Sequence, residues 1–290
     1  MKYGIHYAYW QKQWAADIPQ CCKRAAKLGF DVLEISGDGM LSCSKEQLSD
    51  LKKISQDLGV RVYPCQGMPK SCDPGAEDLK CRQGAVDFAN RMFDSMGVLG
   101  CKQLGGILYS YWPAMDYTNR GQSVARAWEL SLETTKKIAD EAAGRGILLT
   151  FEVVNRYENY LFNDTKTALK YLDELGSDNV KLLLDVFHMN IEEDHIGDAI
   201  RLAGDKLGHF HIGECNRRVP GQGHMPWTEI AKALHDIHYD AAITMEPFVR
   251  SGGEVADAIR VWHDLVEPGE DVLDRDLVSA LAFTKALFAE

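Results

Sequence analysis

Four residues able to do chemistry interrupt apolar runs near their carboxyl ends. They are Glu152 in ILLTFEVV, Asp185 in VKLLLDVFH, His211 in LGHFHIGE and Glu246 in AAITMEPF. Apolar runs of this length read as buried strands, and a charge inside one costs several kcal/mol unless it is protonated or countered. No lysine or arginine stands at an equivalent position of these runs. Carboxylates gathered at one place would repel one another, and a divalent cation resolves the conflict by accepting carboxylate and imidazole ligands together. A set rich in oxygen donors suits a hard ion in roughly octahedral geometry, which ranks Mn²⁺, Mg²⁺ and Co²⁺ above a cysteine-rich zinc site.

His209 and His211 form an HxH pair whose side chains share one face of a strand, so spacing leaves either as the ligand. His211 is nearer the strand end, and His209 is expected one layer deeper as a hydrogen-bonded neighbour. The polar segments NRYEN, HMNIEED and ECNRRVP follow three of the runs and can hang Glu158, His188 and Arg217 over the metal. The acidic run Glu192, Glu193 and Asp194 precedes a helical stretch and is assigned to that helix's dipole, without a chemical role.

These residues can meet only if the fold collects strand ends at one place. Short apolar runs alternate with amphipathic stretches along the whole chain, the pattern of βα units around a parallel sheet. The first strands are predicted at Tyr3–Tyr9, Phe30–Ser36, Arg61–Gly67 and Lys102–Leu108, and the four charged runs complete eight units. In SKEQLSDLKKISQDLG, Leu48, Leu51, Ile54 and Leu58 recur at helical spacing, Ser44 with Gln47 can form a capping box, and Gly59 ends the helix. The longest helix is predicted over Ser123–Ala143.

Eight units without a break in composition favour a closed (β/α)8 barrel of class α/β, one domain over residues 1–290 with a C-terminal helical extension. In such a barrel the strand carboxyl ends meet at a single face. A doubly wound sheet would carry a glycine-rich phosphate loop after its first strand, and none is present. Gly105 and Gly106 do not make GxGxxG and read as room for close backbone approach, so no nucleotide cofactor is expected.

The chain has 290 residues, 46% hydrophobic and 26% charged, which is globular composition with enough apolar surface for a large core. Its net charge of −11 repels phosphate backbones and anionic membranes alike, so neither is an expected partner. MKYGIHYAYW lacks the apolar core of a signal peptide, which predicts a cytoplasmic protein. The eight cysteines form no CxxC and are expected to be free thiols.

With these residues in view, the sequence resembles the ketose 3-epimerases, the D-tagatose 3-epimerase and D-psicose (D-allulose) 3-epimerase family. The likeness runs through GIHYAYW, SYWP, EVVNRYEN, DVFHMNIEED, GHFHIGECNRRVPG and MEPF to the VW near residue 262. It implies a xylose-isomerase-like barrel with one divalent metal ion, Mn²⁺ ahead of Co²⁺ or Mg²⁺, on Glu152, Asp185, His211 and Glu246. Glu152 and Glu246 are implied as the acid/base pair, and Glu158, His188 and Arg217 as holding the first three carbons of a ketose. Trp14, Trp112 and Phe248 match positions that line the sugar's far end, and a homodimer or homotetramer is implied.

Inverting C3 of a ketose requires removing a proton α to the C2 carbonyl and returning one on the opposite face, hence two bases. The expected substrates are free ketohexoses, D-fructose with D-psicose and D-tagatose with D-sorbose. His6 stands where the family usually has Tyr or Phe, Ile107 gives GGIL for the commoner GGAL, and Met68 departs from the usual loop; these bear on substrate rank. His6 is read as an additional sugar contact. The rival readings are a metal-dependent aldose–ketose isomerase on the same barrel, and a binding protein that does no chemistry. A barrel endonuclease would want more metal-binding histidines and a basic channel.

Overall fold

A computed structural model describes residues 1–115, 123–267 and 269–289. Eight strands form its centre: β1 Lys2–His6, β2 Val32–Ser36, β3 Arg61–Cys65, β4 Gln103–Gly106, β5 Leu148–Val153, β6 Val180–Asp185, β7 Leu207–Ile212 and β8 Ala242–Met245. They follow one another around a closed barrel, every neighbouring pair parallel, with β8 completing the circle against β1. The chain thus has the (β/α)8 architecture that its alternating pattern predicts.

Helices return the chain between strands: α1 Ile18–Leu28, α2 Gly37–Leu41, α3 Lys45–Leu58, α4 Leu79–Leu99, α5 Val124–Gly144, α6 Thr165–Leu175, α7 Val186–Glu192, α8 Ile196–Ala203, α9 Trp227–Asp236, α10 Glu254–Ile259 and α11 Glu270–Leu287. Their ends follow local chemistry. The capping box of Ser44 and Gln47 opens α3, Gly59 closes it in the left-handed conformation, and Ser123 caps α5. The C-terminal helix α11 is tied to α1 by Arg24, which pairs with Glu270 and Asp274, and to the first βα segment by the Tyr9 hydroxyl on Leu273 O.

The predicted strands run longer than the observed ones, and two of them overrun into helical turns. Tyr7–Trp10 forms a 3-10 turn with all four side chains buried, so tertiary packing overrides the strand preference of its aromatics. In β6 the ladder stops at Asp185, whose Oδ1 accepts from Phe187 N at 2.7 Å and caps α7. His188 consequently sits on a helix. All eight cysteines are free thiols, and no helix among the described residues is long and apolar enough to cross a membrane.

Close approach explains the glycine pair of β4. A Cβ on Gly106 would lie 2.4 Å from Gln66 O, and its φ of 111° is one that side chains other than hydrogen rarely adopt. Gly106→Ala is expected to cost at least about 1–3 kcal/mol from backbone strain alone. Urea denaturation checks this, and an unchanged midpoint would contradict it.

Candidate active site

Side-chain alternation sends every second residue of a strand into the barrel. Asp185 is paired in register with His211, and His6 with Glu34, while Glu246 falls one residue past β8. Each of Glu152, Asp185, His211 and Glu246 offers one ligand atom, and these atoms lie within 4.8 Å of one another. Asp185 Oδ2 and His211 Nδ1 are buried there without a hydrogen-bond partner. Buried polar atoms are normally satisfied, so the donor set fits a cation that would occupy their free lone pairs.

Electrostatics in the metal-free cluster separates its carboxyls. Burial, with the charge of Glu246 second, raises Glu152 well above the ordinary carboxylate range. Burial alone would raise Glu246 too, but the neighbouring His211 outweighs it and holds that carboxyl at about 2. Asp185 is raised, chiefly by burial. Burial disfavours a charged His211, yet Glu34 and Glu246 together hold it well above its usual value.

Above this cluster lies a cavity of about 290 Å³ lined by Glu152, Glu246, Glu158, His188, Arg217, His6, Trp14, Trp112, Phe248 and Ile107, among others. Asp185 and His211 are buried beneath it, 1% and 0% exposed. Every site residue predicted from sequence therefore falls at one end of one barrel. Met68 does not line the cavity: it is fully buried, its backbone amide bonded to Ile107 O, so its departure from the family pattern does not face a ligand.

The polar residues over the cluster are held by specific bonds. Asn155 Oδ1 accepts from Tyr157 N at 2.9 Å, which turns its amide NH₂ toward His188 Nδ1 at 2.8 Å. The backbone N–H of Asn155 also reaches that nitrogen at 3.3 Å. Nδ1 of His188 thus accepts, which places a ring proton on Nε2, 3.7 Å from Glu152 Oε1 and available to a ligand oxygen. Glu158 accepts from Trp112 Nε1 at 2.9 Å and lies 3.4 Å from Arg217 Nη2.

Arg217 takes a left-handed backbone, φ 64°, and its guanidinium sits 3.4 Å over the Phe187 ring and 5.2 Å from that of Phe248. Its Nε and Nη1 are buried without hydrogen-bond partners, two donors open to a bound oxygen. The loop that carries it is pinned by Glu214, whose carboxylate accepts from Gly221 N, Met225 N and Trp227 Nε1. Trp14 and Trp112 meet edge to face at 6.4 Å, and His6 lies 5.9 Å from Phe248. Burial lowers the pKa of His6, so it faces the cavity as a neutral imidazole.

The structure revises the acidic run. Glu192 is the last residue of α7 and forms a bidentate pair with Arg156, while Glu193 accepts from Thr165 N, the first amide of α6, at 2.7 Å, so both carboxylates bond outside the helix that follows the run. Sequence reasoning also passed over the cavity residues that β2 and β3 supply. Ser36, Asp38, Cys65 and Gln66 line the cavity from β2 and β3 and the residues that follow them, and Glu34 is buried below. Glu34 interrupts the apolar run FDVLEIS as Asp185 interrupts its own, so the same signal could have found it.

Closed parallel barrel and acidic, ligand-ready mouth together define a barrel enzyme, and the comparisons with known proteins carry this further. Residues 22–267 match the family described as xylose isomerase-like TIM barrel. The chain is 42% identical to the D-psicose 3-epimerase of Ruminiclostridium cellulolyticum over 286 residues, 98% of this chain and 97% of that protein. It is 32% identical to the L-ribulose 3-epimerase of Mesorhizobium japonicum over 269 residues, 90% of this chain and 87% of that one. A crystal structure of D-psicose 3-epimerase with D-tagatose, from Clostridium cellulolyticum H10, superposes with a TM-score of 0.97 at 41% identity, covering 100% of both chains. The chain belongs to the ketose 3-epimerase family of xylose isomerase-like barrels, and is an enzyme that acts on carbohydrates.

Proposed function

We propose that the protein interconverts C3 epimers of free ketohexoses, D-fructose with D-psicose and D-tagatose with D-sorbose, using Glu152 and Glu246 as acid and base. The observation that carries the reading is that two carboxyls, from β5 and from the end of β8, line one cavity and belong to one cluster of ligand atoms. One glutamate, ionised, takes the C3 proton from one face, the other, protonated, returns one on the opposite face, and the roles exchange in reverse.

Glu152, Asp185, His211 and Glu246 would hold the metal, with Mn²⁺ ranked first. When bound, a divalent cation supplies Lewis-acid stabilisation of the negative charge that develops on the substrate's oxygens. His188 Nε2–H and the open N–H groups of Arg217 donate to the oxygens of the first three carbons, and Glu158 accepts from a hydroxyl there. Trp14, Trp112, Phe248 and His6 enclose the far end of the sugar. The greater identity to D-psicose 3-epimerase than to L-ribulose 3-epimerase supports ketohexoses over ketopentoses.

The test is to strip the protein with a chelator, restore Mn²⁺ and follow D-fructose, D-psicose and D-tagatose in deuterated water by NMR. Metal-dependent conversion between epimers with deuterium entering C3 is expected. Exchange at C1 with aldose formation would replace the reading with an aldose–ketose isomerase, and absence of exchange with every sugar would refute the substrate class.

A further inference from the structure

Glu34 takes no part in the chemistry above, yet it sits beneath it on β2, 1% exposed and next to His6 in the barrel register. Its two oxygens are divided between the two histidines of the HxH pair. Oε2 is hydrogen-bonded to His209 Nε2 at 2.8 Å, and Oε1 lies 2.9 Å from His211 Nε2 as a close charge contact outside hydrogen-bond geometry. The ring of Tyr63, paired with Glu34 from β3, stands edge-on to His209 at 6.4 Å and walls the other side.

We propose that Glu34 is a positioning residue: hydrogen-bonded to His209 and with its other oxygen 2.9 Å from His211 Nε2, it keeps the Nε2 side of His211 facing itself, so that Nδ1, once a cation displaces its proton, is the nitrogen turned toward Glu152, Asp185 and Glu246. The inference rests on the metal-site reading given above. An ionised carboxylate has acceptors only, so a neutral ring that meets it through Nε2 must keep its proton there and present Nδ1 bare. That nitrogen is 3.8 Å from Glu246 Oε2 and has no hydrogen-bond partner. His209 holds the second oxygen of Glu34 and thereby restricts rotation of the carboxylate.

Glutamine tests this arrangement because it has the shape of glutamate but only one acceptor. Its NH₂ must face one of the two rings, and that ring then needs a bare Nε2 and a proton on Nδ1. If the ring is His211, the ligand atom is lost; if it is His209, a buried Nδ1–H is left without a partner, since that nitrogen has none now. Either outcome weakens metal binding without removing any ligand from the chain.

The experiment measures Mn²⁺ affinity of the wild-type protein and of Glu34→Gln by electron paramagnetic resonance, with thermal melts as a check on folding. Histidine ¹⁵N shifts of the Zn²⁺-loaded proteins report which ring nitrogens carry protons. The expected result is about 10–100-fold weaker Mn²⁺ binding by Glu34→Gln, the usual loss on removing a partner of a ligating histidine, with altered His209 or His211 nitrogens. Equal affinity and unchanged shifts would overturn the role of Glu34 and leave the metal site standing. Failure of the wild type to bind Mn²⁺ would overturn both. Should Glu34→Gln not fold, the Zn²⁺-loaded wild type decides alone: protonated Nε2 with bound Nδ1 on His211 supports the proposal, and bound Nε2 refutes it.

Discussion

Glu246→Gln is expected to lower kcat for epimerisation by about 10²–10⁴-fold, the range that one general base contributes, while Mn²⁺ remains bound. Glutamine keeps an oxygen where the cluster needs a donor but cannot accept the C3 proton. Glu152→Gln is expected to fall as far, because an amide cannot return a proton to the opposite face. The two variants differ in which half-reaction survives. Each retains one base, so each is expected to wash deuterium from solvent into C3 of one epimer only, and the two variants into opposite epimers. Substantial epimerisation by either would refute the two-base scheme, and loss of Mn²⁺ binding by both would mean that the glutamates serve as ligands before they serve as bases.

Chelation is expected to lower the melting temperature, and to lower it more as the pH rises. A ligand held at 100 times its dissociation constant stabilises the native state by about 2.7 kcal/mol. For a chain of this size that corresponds to roughly 5–10 °C. The pH dependence follows from two groups. Glu152 has a folded pKa raised above its ordinary 4.5, so its contribution is complete below that value and is lost as the pH climbs through the raised one. His211 is raised above 6.5 and acts in the same direction, losing its contribution as it deprotonates. Glu246, held at about 2, has the opposite sign: its contribution is present above 4.5 and fades only as the pH falls toward 2. From neutral pH upward, therefore, the metal-free protein weakens while the cation, competing with fewer protons, binds more tightly. Melting curves with and without chelator from pH 6 to 9 would show the gap widening; a constant gap would refute the assignment.

The barrel was legible in the chain because its cause is local and repeated: apolar runs and amphipathic stretches alternate through eight units with no break in composition, and glycines stop several of the helices. Glu152, Asp185, His211 and Glu246 were legible because a charge inside an apolar run is costly wherever the run goes. Strand ends were less legible. Whether the buried aromatics of Tyr7–Trp10 extend a strand or turn beneath it, and whether Asp185 continues a ladder or caps a helix, depends on what packs above them. Periodicity could put His209 and His211 on one face but could not rank them. Only the closed barrel separates them: His211 lies within 4.8 Å of the ligand atoms of Glu152, Asp185 and Glu246, whereas His209 is hydrogen-bonded to Glu34, 175 residues away in the chain and 2.8 Å away in space. Sequence thus determined which side chains must be paired, through the cost of burying charge; only the closed barrel decided with whom, because hydrogen bonds between strands far apart in the chain exist only after the sheet has met itself.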